Sequence, residues 1–109
     1  MTTPTPDELY EEFRRAEVFL AAGQPTEAAR IVEPVVRAVP DHVAALELHA
    51  RALFASAQLA RAEEALRVLV DRRPDDGWAR FALARTLERL GRPGAAEHRR
   101  VAAALGVTG

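Results

Sequence analysis

Cysteine is absent from this chain of 109 residues, which removes disulfides, thiolate nucleophiles and sulfur-bound metals from consideration. Lysine is absent too. All fifteen basic residues are arginine, a usage that fits a GC-rich bacterial genome. No apolar run approaches the roughly 20 residues that span a bilayer, so no membrane partner is expected. The opening Met1-Thr2-Thr3-Pro4-Thr5-Pro6 lacks the basic and apolar regions of a secretory signal, and a cytoplasmic location is expected. Net charge is −1, so no global field draws the chain to nucleic acid. Glycine-rich phosphate loops are also missing, and Ser56 is the only serine, with no histidine near it in sequence.

What is present is a period. Gly23, Ala57 and Gly91 are spaced by 34, as are Ala16, Ala50 and Ala84, and Phe19, Leu53 and Leu87. Ala28, Ala62 and Ala96 make a further set, and Pro40 to Pro74 is again 34. The stretch from Asp41 to Pro74 is the cleanest copy and reads as one helix-turn-helix.

Along the chain, residues 1–6 are polar and proline-bearing and should form a flexible lead. Asp7 can cap the first helix, with Glu8, Glu11 and Glu12 placed where the helix dipole favours negative charge. Leu9, Phe13, Ala16 and Leu20 form a helical stripe that Gly23 ends in a left-handed cap. Pro25 suits the first turn of the second helix, whose buried face is Ala28, Ile31, Val32, Val35 and Val36. Pro34 sits inside that helix and predicts a kink or an early end. Pro40-Asp41 closes the first copy and caps the next. In the middle copy, Leu46, Ala50 and Leu53 line one helix, and Ala62, Leu66 and Leu69 the other. The third runs from Gly77 through Leu83, Ala84 and Leu87 to Gly91. Pro93 follows Gly91 as Pro25 follows Gly23, and a second helix over roughly 94–105 stops at Gly106. The tail 107–109 is expected to be loose.

These residues resemble the tetratricopeptide repeat family, whose period is 34. The middle copy carries the family pattern as Leu46, His49-Ala50, Leu53, Ala62, Leu66, Pro74. The first reads Glu12, Arg15-Ala16, Phe19, Ala28, Val32, Pro40, and the third Arg80, Leu83-Ala84, Leu87, Ala96, Arg100, with Thr108 at the closing proline. The resemblance implies an all-α fold, a right-handed α-solenoid of three helix-turn-helix repeats with six helices. It places one domain over 7–106, with repeats at about 9–42, 43–76 and 77–106. The small residues allow paired helices to approach closely; a leucine at Ala16 or Ala50 would overpack the contact by about 1–3 kcal/mol. Glu12, Arg15, Arg80 and Arg100 depart from the apolar pattern, as suits end repeats without a covering neighbour. Members of the family usually end in an extra polar helix. Here either those arginines cap the end or it docks onto a second molecule.

The resemblance also implies a concave surface lined by the first helix of each repeat. Its four rows are Tyr10, Ala44, Trp78; Phe13, Glu47, Phe81; Glu17, Arg51, Arg85; and Leu20, Phe54, Glu88. Five of the chain's six aromatic residues fall in these rows, and only Phe19 takes a core position. Displayed aromatics are typical interface anchors, although single rings can also pack sideways between neighbouring helices. The candidate partner-binding residues are therefore Tyr10, Phe13, Glu17, Glu47, Arg51, Phe54, Trp78, Phe81, Arg85 and Glu88. Relatives that clamp a C-terminal carboxylate use lysine, asparagine and arginine at positions held here by Phe13, Glu17, Leu48, Trp78 and Ala82, so that mode is not expected. Arg51 and Arg85, one period apart, could grip an acidic side chain or simply be solvated.

Catalytic and metal sites are not expected. His42, His49 and His98 include no pair at i, i+4, and Glu63-Glu64 and Asp75-Asp76 read as solvated surface and cap residues. No cofactor is expected. The leading reading is an adaptor that binds a peptide or amphipathic helix of another protein in an aromatic groove. The alternative is a self-associating module that uses the groove or its C-terminal repeat as a homodimer interface. Residues 1–50 hold nine acids and four arginines, and residues 51–109 hold seven and eleven, so head-to-tail pairing is electrostatically open. The basic half is the one feature that favours nucleic acid.

Overall fold

Thr5, not Asp7, starts the first helix. Its hydroxyl oxygen accepts from the Glu8 amide at 3.2 Å, and Pro6 takes the first helical position, where a missing N–H leaves no bond unmade. The computed structural model describes residues 3–108, so Met1 and Thr2 of the expected lead and Gly109 of the expected tail lie outside the described residues. Six helices follow: α1 (Pro6–Ala21), α2 (Pro25–Ala38), α3 (Val43–Ala55), α4 (Leu59–Arg72), α5 (Gly77–Leu90) and α6 (Ala95–Ala104). Among the described residues there is no strand.

Two units divide the chain, Met1–Ser56 with α1 to α3 and Ala57–Gly109 with α4 to α6. In the first, α1 packs on α2 and α2 on α3. Ala16, Ala28, Val32 and Ala45 are fully buried there, and Leu9, Phe13, Phe19 and Leu20 pack partly buried against that core. The small side chains let α1 and α2 meet closely, and the branched residues of α2 fill the remaining space. In the second unit, α4 packs on α5 and α5 on α6 around Leu66, Leu69, Leu83 and Leu87. Each of these leucines is buried, which stabilises the fold by about 2 kcal/mol per side chain.

Helix ends follow the period closely. Gly23 (φ 77°) and Gly91 (φ 66°) both take the left-handed conformation after α1 and α5. The Gln24 amide donates to the Phe19 carbonyl at 2.9 Å and the Arg92 amide to Leu87 at 2.8 Å, so orphan carbonyls are satisfied the same way in both copies. The next cap is also repeated, with a different residue in each copy. His42 Nδ1 accepts from the Ala45 amide at 3.1 Å, and Asp76 accepts from Ala79 at 3.0 Å. The cap of α3 is thus His42 rather than the expected Asp41. A neutral imidazole nitrogen has the same reach as the usual cap oxygens.

Pro34 does not end α2, which runs on to Ala38. Pro34 and Arg30 are both exposed, so the Arg30 carbonyl that loses its partner faces water.

The period slips in the last helix. Ala28 and Ala62 are fully buried, whereas Ala96 is exposed. α2 begins on Pro25, but α6 begins at Ala95, two residues after Pro93, because Gly94 turns left-handed (φ 105°) between them. The one buried residue of α6, Ala102, follows the buried Leu69 by 33 positions rather than 34. After α6 the Val107 amide donates to the Ala102 carbonyl at 2.8 Å, so Val107 is tied back to the helix.

Glu63 also differs from its expected surface role. It is buried, 6% exposed, and its carboxylate takes Arg67 Nε at 2.9 Å and Arg92 Nη1 at 3.3 Å.

Candidate functional site

None of the ten candidate residues is buried. Tyr10 and Glu88 are exposed, and Phe13, Glu17, Glu47, Arg51, Phe54, Trp78, Phe81 and Arg85 are half-buried. The two units bring different parts of the set together.

In the first unit, Pro6, Tyr10, Phe13 and Glu17 recur at helical spacing along one stripe of α1. Tyr10 is 64% exposed, a large value for an aromatic in a chain so poor in them. The Phe13 ring meets the His42 imidazole edge-on, with centroids 5.6 Å apart. Around these two lies an open apolar pocket of about 340 Å³, lined by Pro6, Leu9, Tyr10 and Phe13, by Val35 and Val39, and by His42 and Ala44. Beyond it, Glu17 accepts from Arg14 at 3.3 Å, and Glu47 accepts from Arg51 Nε at 3.1 Å. Arg51 therefore meets any partner already paired with Glu47.

Pocket walls include residues that the sequence pattern does not single out. Val35 belongs to the buried stripe of α2, Val39 follows that helix 39% exposed, and His42 stands in a turn. The available signal was a valine placed after the last turn of α2, where nothing in the repeat covers it.

In the second unit, α5 carries Trp78, Phe81, Arg85 and Glu88. Glu88 and Arg99 of α6 form a two-pronged pair, with Arg99 Nε donating to Glu88 Oε2 at 2.9 Å. That hydrogen bond holds the Glu88 carboxyl below its usual range, and raises Arg99 in turn. The same guanidinium lies over the Phe81 ring at 5.8 Å, so one face of Phe81 is covered by a cation from the neighbouring helix. A second cavity of about 290 Å³ adjoins Phe81, Arg99 and Ala102.

The polar departures from the repeat pattern are also resolved. Arg15 pairs with Glu12 at 3.4 Å and lays its guanidinium 5.6 Å from the Phe19 ring centroid. Arg80 donates to the Pro74 carbonyl at 3.0 Å and to His98 Nδ1 at 3.1 Å. Among the described residues no group of three or more metal-ligating side chains is placed to hold a cation. No helix among them is long and apolar enough to cross a membrane.

The tetratricopeptide repeat family model matches residues 19–77, more than half of the chain. The chain belongs to the tetratricopeptide repeat family. Five chains among solved structures match it, one of them a "MamA RS-1 ArsTM double mutant" with a TM-score of 0.80 at 27% identity. That match covers 93% of this chain, which spans 57% of the length of the other. No curated protein matches. The fold class is therefore an all-α tetratricopeptide solenoid, and repeats of this family generally serve as protein–protein interaction modules on non-enzymatic scaffolds.

Proposed function

We propose that this tetratricopeptide repeat chain is a non-catalytic adaptor acting in the cytoplasm, which seats a peptide or amphipathic helix of a partner protein. The receiving residues are Tyr10, Phe13, Glu17, Glu47, Arg51 and Phe54 of the first unit and Trp78, Phe81, Arg85 and Glu88 of the second. One observation carries this reading: all six aromatic side chains, Phe19 included, stand outside the fully buried core, on first helices of the repeats. Aromatic surface left in water is unfavourable, and large rigid rings are the side chains that anchor interfaces. The apolar pocket beside Tyr10 and Phe13 offers a place for a partner side chain.

The test uses the chain as bait with Trp78→Ala and Phe81→Ala. Both variants should lose capture of the partner bound by the unaltered chain while keeping the helical circular dichroism signal. Undiminished capture by both would defeat the assignment.

Charge distribution favours a second reading, self-association. Residues 1–56 hold nine carboxylates and five arginines, a balance of −4, and residues 57–109 hold seven and ten, a balance of +3. The first unit of one copy would attract the second unit of another. Sedimentation at two concentrations and two salt concentrations tests it: a strict monomer at the higher protein concentration counts against it.

A further inference from the structure

The first helices of the later repeats bury a face that α1 leaves open. Ala45, Leu48 and Ala52 share one face of α3, and all three are buried. Ala45 and Leu48 join there the core cluster of Ile31, Val32 and Val35 from α2. One period on, the same face of α5 is Ala79, Ala82 and Thr86, and it is buried as well. One period back it is Glu11, Arg14 and Val18 of α1, and all three are exposed. Val18 is 64% exposed, whereas Ala52 and Thr86 are fully buried.

The second unit carries a surface of the kind that such a face meets. In the first unit, Phe13 and Val35 form a wall that His42 and Ala44, at the start of α3, complete. Phe81 follows Phe13 by two periods, and Ala102 answers to Val35 once the one-residue slip of α6 is counted. These two line the second cavity together with Arg99, Arg100 and Ala103, the last two exposed. Among the described residues no further helix completes this wall. The counterparts of His42 and Ala44 one period back are Glu8 and Tyr10 of α1, both exposed. An α1 laid on this wall as α3 lies on the first would bring Glu8 and Glu11 toward Arg99 and Arg100.

We propose that the outward face of α1 in one copy docks on the α5–α6 wall of a second copy, taking there the place that α3 takes on the wall of the first unit. Repeat register supplies the fit, since Val18 gains the cover that Ala52 and Thr86 already have. Charge supplies the polarity: acids of α1 meet arginines of α6, while α1 against α1 or α6 against α6 would set like charges together. The two surfaces differ, so the contact is heterologous, head to tail. The proposal rests on the self-association reading and names its two surfaces.

Two variants of the whole chain test it by sedimentation. Glu11→Arg with Val18→Arg spoils the α1 face, and Arg100→Glu with Ala103→Glu spoils the α6 face. All four positions are exposed, and circular dichroism checks that each variant keeps its helical signal. The unaltered chain should associate as its concentration rises, and added salt should weaken that association. Each variant alone should associate at least about 10-fold more weakly. Mixed in equal amounts, the two should associate again, because the intact α6 face of one meets the intact α1 face of the other. That recovery also shows that both variants are folded. If both variants alone keep the association of the unaltered chain, self-association stands and this proposal falls. If only one variant loses it, that face meets its own counterpart and the head-to-tail contact is overturned. A mixture that stays monomeric, with both helical signals intact, overturns it too. A strict monomer at every concentration overturns the proposal and the self-association reading together.

Discussion

Arg80 of α5 and His98 of α6 are joined directly, Nη1 to Nδ1 at 3.1 Å. A guanidinium can only donate, so the imidazole nitrogen accepts, and the contact requires neutral His98. Burial pushes the His98 pKa below the ordinary imidazole value, the Arg80 and Arg67 charges push the same way, and Glu97 opposes them.

The sign for stability follows from that direction. Above the unfolded value of about 6.5 both states hold a neutral imidazole, and His98 adds no pH dependence. As pH falls through that value the unfolded chain takes up the proton first, so stability declines until the lower folded value is passed. Urea midpoints should therefore drop between pH 7.5 and 5.5, and His98→Asn should flatten the profile relative to the unaltered chain. An equal slope in the variant would assign the dependence to other groups.

Ala57 is the one non-glycine residue with positive φ (56°) among the described residues, at the place where the other copies put Gly23 and Gly91. A Cβ in the left-handed region is unfavourable by about 1–2 kcal/mol, partly offset by the greater freedom of glycine in the unfolded chain. Ala57→Gly should stabilise by about 0.5–1 kcal/mol. Gly23→Ala should destabilise by a similar amount, although no atom lies within 4 Å of its added Cβ. Denaturant midpoints check both. A stabilising Gly23→Ala would show that the turn relaxes out of the left-handed region.

The contrast between those turns and α6 shows what the sequence could reveal. The positions of Ala16, Ala50, Ala84, Gly23 and Gly91 are dictated by steric contact and φ, and the period predicts them because the same contacts recur. Ala96 breaks the pattern because its register depends on Gly94, whose backbone freedom leaves no periodic mark. Pro6 selects its own predecessor, Thr5, as the cap, so the choice against Asp7 lay in the proline rule rather than in cap preference. At the candidate site, the rows reveal Tyr10 and Phe13 but miss Val39 and His42, which reach the pocket from a turn with no helical spacing to betray it. Arg99 over Phe81 was hidden for the same reason as Ala96: it depends on where α6 begins.

Glu63 gives a third expectation. Its carboxylate is nearly enclosed and is satisfied by Arg67 and Arg92, which are themselves about half exposed. Removing the carboxylate leaves two solvated cations, but removing both arginines leaves a buried anion without its partners. Arg67→Met with Arg92→Met should therefore destabilise more than Glu63→Met, by about 1–3 kcal/mol. Equal losses would mean that water reaches the carboxylate in the doubly altered chain.

The last expectation concerns Gly77. The corresponding positions of the earlier copies are Leu9 and Val43, so a glycine there removes an apolar side chain from the start of α5. Val107 takes up the vacant space: a Cβ built on Gly77 would stand 2.6 Å from Val107 Cγ2 and 3.3 Å from Leu105 Cβ. A contact of 2.6 Å is not tolerated, so Gly77→Ala must displace Val107 and loosen its amide from the Ala102 carbonyl. The single change should destabilise by about 1–3 kcal/mol through overpacking. Val107→Ala alone should destabilise less, by about 1 kcal/mol, because the half-buried valine gives up only part of its buried surface. In the double variant the clash is gone, since the displaced methyl is absent. The loss in the double variant should then fall short of the sum of the two single losses by at least about 0.5 kcal/mol in a double-mutant cycle. Strict additivity would show that Val107 does not fill the space above Gly77 in solution.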